Sequence, residues 1–369
     1  MLPTLQPDRF ATLQSLFASM EKHLAALSVL QHRVPGSVLV DRINNPEAAL
    51  VRTGRRFYLA GNPHKSSFNE QLREHFDAHI YPQAIKGGQT AFTLNYPNPD
   101  WEPVIDLILE GKFPMRDERL YFEMTGPGAS WRECIPSGFE MRRVSQELLE
   151  ETGLENRDFL ANEMQSESPS IEHFLDNCFG FCLVGEGAIA AWCLSEYNLD
   201  NRCEVGIETM PPYRRRGFAT LTASALIEHA RRQDIGRIGW HCWSSNRASK
   251  ATAERSGFRL IAEYAAVFAF FEESINLAVN GNMRFEQADY SAAAEWYERA
   301  VRAGGQQAWI FWNAACAYAQ TGANELALQR LQGAIEHGFD DLERLQESEH
   351  LESLRRLPGW KTFLKKLAL

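Results

Sequence analysis

No apolar run in the sequence reaches the ~18–20 residues that a membrane-spanning helix requires. The N-terminus lacks the basic stretch, apolar run and cleavage site of a secretory leader. Basic residues are in deficit, 38 Lys+Arg against 48 Asp+Glu, for a formal net charge of -10. Phosphate neutralisation needs a basic surface, so general binding of nucleic acid is not expected. Cationic or neutral substrates, or protein partners, suit such a chain better. Seven cysteines are scattered at 134, 178, 182, 193, 203, 242 and 316. The odd number and the long chain do not read as a disulfide framework. Cys178 and Cys182 stand four apart with no His/Cys cluster behind them, so no metal site is expected. Reduced, mostly buried cysteines and a cytoplasmic location are the expectation, with no part in a membrane.

What is present is the composition of a globular protein, 44% hydrophobic and 23% charged over 369 residues. At ~100–200 residues per domain, two or three domains are expected. Residues 8–32 carry Phe10, Leu13, Leu16, Phe17, Met20, Leu24, Leu27 and Leu30 at helical steps. The spacing predicts one amphipathic helix, capped by Asp8 and stopped by Pro35-Gly36, whose mixed polar face suits packing on the body of the protein. Residues 37–130 alternate strands (Phe57–Ala60, Thr90–Tyr96, Leu120–Thr125) with helices (Phe68–His79, Trp101–Glu110). Gly126-Pro-Gly128 then marks a boundary.

From Phe139 the pattern sharpens. A strand over Phe139–Val144 leads to short helices at Glu147–Glu151 and Ile171–Asn177. Three strands follow at Phe179–Val184, Ala188–Glu196 and Cys203–Met210, joined by turns short enough to make them an antiparallel meander. Next come a helix over 218–233, a strand at Ile238–Trp243, a short helix at Ala248–Ser256 and a strand or pair over Leu260–Phe271. In the last hundred residues alanine and charge rise and β-branched residues fall. Ala293 and Ala300 recur as Ala327 and Ala334, 34 positions later, with Tyr318, Gly322 and Leu331 on the same template. A 34-residue period with small residues where helices cross resembles the tetratricopeptide repeat. A third, degenerate unit over 340–367 reads as a capping repeat.

The chemical signal lies in Met210-Pro-Pro-Tyr-Arg-Arg-Arg-Gly-Phe-Ala-Thr220. A strand ends, a turn follows, and a helix begins at once. Small residues in the turn let main-chain N–H groups converge in front of the positive end of a helix, a geometry that binds pyrophosphate. A Walker loop is excluded because no Gly-Lys-Ser/Thr follows. A dinucleotide fingerprint fails because the preceding strands form a meander rather than a βαβ unit.

Arg214-x-x-Gly217-x-Ala219 after the fourth strand resembles the coenzyme A loop of the GNAT acetyltransferase superfamily. Asn246-Arg-Ala-Ser249, with Gly257-Phe258 eleven and twelve positions after the Asn, resembles that superfamily's second motif. Gly206-Ile-Glu-Thr209 ahead of the loop and Cys242-Trp-x-x-Asn246-x-x-Ser249 after it resemble the zwittermicin A resistance group within it, over about 40–270. The resemblance implies a mixed, largely antiparallel α/β (α+β) GNAT fold over 131–272. Before it lies an N-terminal helix and α/β region over 1–130, itself a degenerate GNAT-like half, and after it an all-α repeat domain over 273–369.

It also implies acetyl-CoA as cosubstrate. Amides of Arg215, Gly217, Ala219 and Thr220, beside Phe218, would face the pyrophosphate, and Arg214 and Arg216 would add charge there. Thr209, Asn246 and Ser249 would lie along the pantetheine arm. An amine with a pKa near ~10 is protonated at neutral pH, so its acetylation needs a base. Glu204 and Glu208 on the fourth strand are the candidate catalytic carboxylates, on one face unless a bulge intervenes, with Glu208 the nearer to the acetyl group. Where many members carry an acidic Tyr this chain has Ala253, leaving Tyr264, His241 or Cys242 as substitutes or an unassisted thiolate. The expected function is N-acetylation of a small-molecule amine by direct transfer. The alternatives are a protein acceptor docked on the repeats, or a non-catalytic coenzyme A-binding interaction protein.

Overall fold

The computed structural model describes residues 2–366. The chain divides into two compact units. One is built from the residues up to His75, Thr93–Ile108 and Arg116–Val267; the other from Phe76–Phe92, Leu109–Met115 and the residues from Phe268 onward.

Eleven strands among the described residues form one mixed sheet. They are β1 (Ser37–Val40), β2 (Ala48–Thr53), β3 (Arg56–Gly61), β4 (Ala91–Asn95), β5 (Met115–Met124), β6 (Phe139–Arg143), β7 (Gly180–Gly185), β8 (Ala188–Leu199), β9 (Arg202–Thr209), β10 (Arg237–Trp243) and β11 (Arg259–Phe270). Their order is β1-β2-β3-β4-β11-β5-β10-β9-β8-β7-β6. β1-β2-β3 and β6-β7-β8-β9 are antiparallel runs, and β10 pairs antiparallel with β5. β3 with β4 and β9 with β10 are parallel pairs. The meander read at Phe179–Met210 is therefore present, and the segment 260–271 is one strand rather than two.

The helix Phe218–Arg232 crosses between β9 and β10. Leu226, Ile227 and Ala230 on it pack with Cys193, Cys203, Ile238 and Trp240 from one face of the sheet. On the opposite face Leu194 and Trp192 of β8 pack with Leu160 and Met164 of the helix Arg157–Glu167 and Phe174 of the helix Ile171–Asn177. Residues 192, 194 and 196 of β8 therefore face one layer and 193 and 195 the other, as strand alternation requires.

The N-terminal segment departs from the expected single helix. It forms 3₁₀ turns at Pro7–Leu13 and Ala18–Met20 and an α-helix only over Leu24–Leu30. The cap is Gln6 ahead of Pro7, not Asp8, and the helix ends before Pro35-Gly36. The apolar period survives because three-residue and four-residue turns keep nearly the same face: Phe10, Leu13, Phe17, Met20 and Leu24 are all buried. β1, β2 and the helix Arg157–Glu167 go unannounced by the sequence pattern. That helix buries only Leu160 and Met164, too few to mark a period.

In the second unit the helices Glu273–Glu286 and Tyr290–Arg302 pack together, as do Ala308–Gln320 and Asn324–Glu336. Ala293, Ala300, Ala327 and Ala334 are each fully buried among them. Gly281 faces the ring of Tyr297, where a Cβ would stand 2.7 Å from the ring. Three short helices, Leu342–Glu347, Glu352–Arg355 and Trp360–Lys366, follow.

Candidate active site

The site begins where two parallel strands part. β10 pairs with β9 through Arg237–Arg202, Ile238–Cys203 and Gly239–Glu204. Beyond that point β9 continues to Thr209 alongside β8, and β10 continues to Trp243 alongside β5. A cleft therefore opens between two strands that each keep a partner on the outer side. Gly239 fits the parting, since a Cβ there would lie 3.0 Å from the Tyr121 ring and 3.5 Å from Glu204 Cγ.

The turn Met210–Gly217 leads from β9 into the helix Phe218–Arg232. Arg215 and Gly217 both take the left-handed conformation, with φ of 63° and 81°, and Gly217 is the N-cap residue. A Cβ on Gly217 would meet nothing within 4 Å, so its main chain faces open space. The first N–H groups of a helix have no partner within it. Those of Phe218, Ala219 and Thr220 stand at the positive end of a 15-residue helix.

Two of the three arginines of this turn are held by neighbours. Arg214 donates from Nε to the Thr209 carbonyl at 3.0 Å and from Nη2 to Glu208 Oε1 at 3.1 Å. Arg216 lies over the rings of Phe139, Tyr213 and Phe218, 4.7–5.7 Å from their centres. Thr209 adds a side-chain oxygen, Oγ1, that is buried with no hydrogen-bond partner. Asn246 and Ser249 form a cluster of their own. Asn246 Oδ1 accepts the Ser249 N–H at 3.0 Å and caps the helix Arg247–Arg255, and Trp240 Nε1 donates to Ser249 Oγ at 3.0 Å. Ala253 is fully buried in the core beneath, so that position holds no proton donor.

Strand β9 carries no bulge between its two candidate carboxylates. Its register against β8 runs one to one from Glu204–Glu196 to Thr209–Ala191. Glu204 and Glu208 thus share a face, but not an environment. The Glu208 carboxyl is exposed, and it accepts from Arg214 and from the Thr209 N–H at 2.9 Å. Glu204 is buried. Its Oε1 accepts the Leu24 N–H at 2.6 Å and lies 3.6 Å from His241 Nε2. Burial pushes its carboxyl up, but His241, Arg56 and the Leu24 amide outweigh burial and hold it below the ordinary carboxylate range.

Around Glu204 lies a cluster that the sequence motifs do not announce. His241 Nε2 donates to the Lys22 carbonyl at 3.0 Å, and the Tyr264 hydroxyl meets His241 Nδ1 at 2.8 Å. His23 stacks on His241 and stands edge-on to Tyr264. Burial first, then the charges of His241 and Lys22, push His23 well below the ordinary histidine range. Beside it, Arg56 pairs with Glu167 and Glu196. No group of three or more His, Cys, Asp or Glu able to hold a metal lies among the described residues.

The family described as GNAT acetyltransferase matches residues 14–267. The chain belongs to the GNAT acetyltransferase family. A curated relative, the uncharacterized N-acetyltransferase YdfB of Bacillus subtilis (strain 168), is 23% identical over 270 residues, 73% of this chain and 99% of the relative. A GCN5-related N-acetyltransferase-like protein from Streptococcus suis 89/1591 has a crystal structure similar to this one. Its TM-score is 0.54 at 19% identity, covering 71% of this chain and 98% of that one, which is a likeness of fold. The protein is thus an acyltransferase of the GNAT type, and its helices beyond Phe268 lie outside the family match. As a GNAT fold it has the parted strands and the turn-to-helix junction side by side. The N-terminal residues that close over Glu204 and His241 are Leu24 and Lys22, in a segment where the sequence signalled a capped apolar period and no functional residue.

Proposed function

We propose that the protein transfers an acetyl group from acetyl-CoA directly to the amine of a small molecule. The observation that carries this is the parting of β9 from β10 beside a turn with two left-handed residues and an open helix N-terminus. The residues present suit the coenzyme. The amides of Arg215, Gly217, Phe218, Ala219 and Thr220 would hold its pyrophosphate, with Arg214 and Arg216 adding positive charge. Thr209, whose buried hydroxyl lacks a partner, would lie with Asn246 and Ser249 along the pantetheine arm. Bound there, the coenzyme supplies an acetyl thioester, a carbonyl activated toward amines.

Glu208 takes the proton of the incoming ammonium group. It stands at the parted end of β9, open to solvent, and Arg214 fixes its orientation. Glu204 is closed in by Leu24 and His241 and does not reach a solvent-borne amine. Release of coenzyme A from acetyl-CoA in the presence of mixed amines tests the reading, and binding without turnover would turn it into the coenzyme A-binding interaction protein. Glu208→Gln should lower turnover by about 10²-fold or more, the usual contribution of general-base catalysis. Acetyl-CoA affinity should change little, and the loss should shrink at alkaline pH, where free amine accumulates unaided. An unchanged rate would remove Glu208 as the base.

The residues 1–130 suit a degenerate GNAT-like half, because β1-β2-β3 antiparallel followed by parallel β4 repeats the pairing of β7-β8-β9 followed by β10. The helices Tyr290–Arg302 and Asn324–Glu336 begin 34 positions apart, which supports tetratricopeptide-like repeats. We read them as a docking surface for a protein partner, the feature that favours a protein acceptor as the second reading. Membership of the zwittermicin A resistance group rests on Gly206–Thr209 and Cys242–Ser249. A cytoplasmic location accords with there being no helix long and apolar enough to cross a membrane among the described residues.

A further inference from the structure

The face of β9 that carries Glu204 and Glu208 has Gly206 between them, since the register against β8 runs one to one. A side chain has no room there. Glu196 Oε1 fills the place where a Gly206 Cβ would stand, and Glu163 Oε1 lies 3.7 Å from that place. Glu196 is on β8, opposite Glu204. Glu163 is on the helix Arg157–Glu167, which packs over the same face through Leu160 and Met164. Two carboxyls from separate elements thus converge over one glycine. The arginines nearby are engaged elsewhere. Arg56 pairs with Glu167 at 2.5 Å and stands 3.8 Å from the other oxygen of Glu196, Oε2, while Arg214 pairs with Glu208. Among the described residues none donates a hydrogen bond to Glu196 or to the Glu163 carboxyl, although the Glu196 side chain is only 9% exposed. A buried acid without a donor is costly. Burial, then the charge of Glu167, pushes both carboxyls up; at Glu163 the charge of Glu208 adds to this and those of Arg55 and Arg56 oppose it. Trp192 and Leu194 show that apolar side chains fill the rest of this layer, so packing alone does not call for two acids. Glu208, the proposed base, lies two residues beyond Gly206, ~7 Å at the rise of a strand.

We propose that the acceptor is a linear aliphatic diamine: one amine is acetylated beside Glu208, while the second, as an ammonium group, is held by Glu196 Oε1 and Glu163 over Gly206. The proposal rests on the acetyltransferase reading above and names the substrate class of that site. An ammonium group has three donors and no acceptor. It can therefore serve both carboxylates, at the ~2.7–2.9 Å of a charge-assisted hydrogen bond. It also brings the positive charge against which both acids ionise. The ~7 Å along the strand is the span of a spacer of about four carbons at ordinary bond lengths. The held ammonium keeps its protons throughout and takes no part in the bond changes, which occur at the other end of the chain. Glu163 and Glu196 are binding residues; neither exchanges a proton with the reacting nitrogen.

The test compares 1,4-diaminobutane with butylamine, which lacks the second ammonium group, on the full chain with acetyl-CoA. The wild type should show a kcat/KM about 10²-fold higher for the diamine, the worth of hydrogen bonds between charged partners. Glu163→Gln and Glu196→Gln keep the size of each side chain and remove its charge. Each should cut the preference for the diamine about tenfold, through KM for the diamine rather than kcat, a split that a loss of folded protein would not give. Circular dichroism shows that both variants are folded. A wild type that acetylates butylamine as well as the diamine, or an undiminished preference in either folded variant, overturns the diamine inference alone. A wild type that turns over neither these two amines nor any of the mixed set overturns the acetyltransferase reading, and this inference with it.

Discussion

Glu196 and Glu204 face each other across β8 and β9, and their carboxyls are pushed in opposite directions. Burial, and then the charge of Glu167, drives Glu196 well above the ordinary carboxylate range. Glu204 is drawn below it by His241, Arg56 and the Leu24 amide against its own burial. A carboxyl raised in the folded state stabilises fully below its unfolded pKa, and that stability is lost as pH rises through the folded value. Glu196→Gln keeps the neutral shape without the ionisation. The variant should therefore melt higher than wild type at pH 8, with the difference shrinking as pH falls toward 4.5; thermal melts across that range would check it. An equal gap at both pH values would mean that Glu196 is already ionised in the folded chain. The sequence showed Glu204 and Glu208 as two candidate carboxylates on one strand, with Glu208 the nearer to the acetyl group, but gave no sign of their different surroundings. What separates them is an amide 180 residues away in sequence, Leu24, together with His241 on the next strand. No local pattern carries that information.

At the scale of elements, the junction from β9 to the helix Phe218–Arg232 was legible because its signals are local: a Gly at the left-handed cap, and a helical period beginning at the next residue. The short helix Arg247–Arg255 was legible for the same reason, and two uses are proposed for its cap residue Asn246. Its Oδ1 caps the helix, and on the proposed reading its amide nitrogen would contact the coenzyme. Asn246→Asp separates them, since Asp caps a helix as well as Asn does. The variant should keep the wild-type melting temperature and lose acetyl-CoA affinity in calorimetry. Equal affinity would confine Asn246 to the cap. In the helical region Ala300 is fully buried, where a larger side chain has no room. Ala300→Leu should cost ~1–3 kcal/mol by overpacking. Circular dichroism should show helix lost at a lower temperature, and an unshifted melt would mean that the helices yield without cost. The N-terminal segment was legible only in its period, because 3₁₀ and α turns bury nearly the same face.

Much of the fold was readable from Phe139 onward, where short turns and periodic runs sit next to one another in the chain. The sheet order was not, because β11 lies between β4 and β5, and strands distant in sequence become neighbours only in three dimensions. The turn Met210–Gly217 and the helix behind it are the proposed binding site for acetyl-CoA. Gly217 has open space around it at a φ of 81° and leads into the helix N-terminus. A glutamate there would place a strained side chain and a negative charge in front of the amides that would hold the pyrophosphate. The most direct measurement is calorimetric titration of acetyl-CoA into the wild type and into Gly217→Glu, with circular dichroism to show that both are folded. Saturable binding by the wild type and none by the folded variant is the expected result; equal affinity of the two would contradict the assignment of this loop.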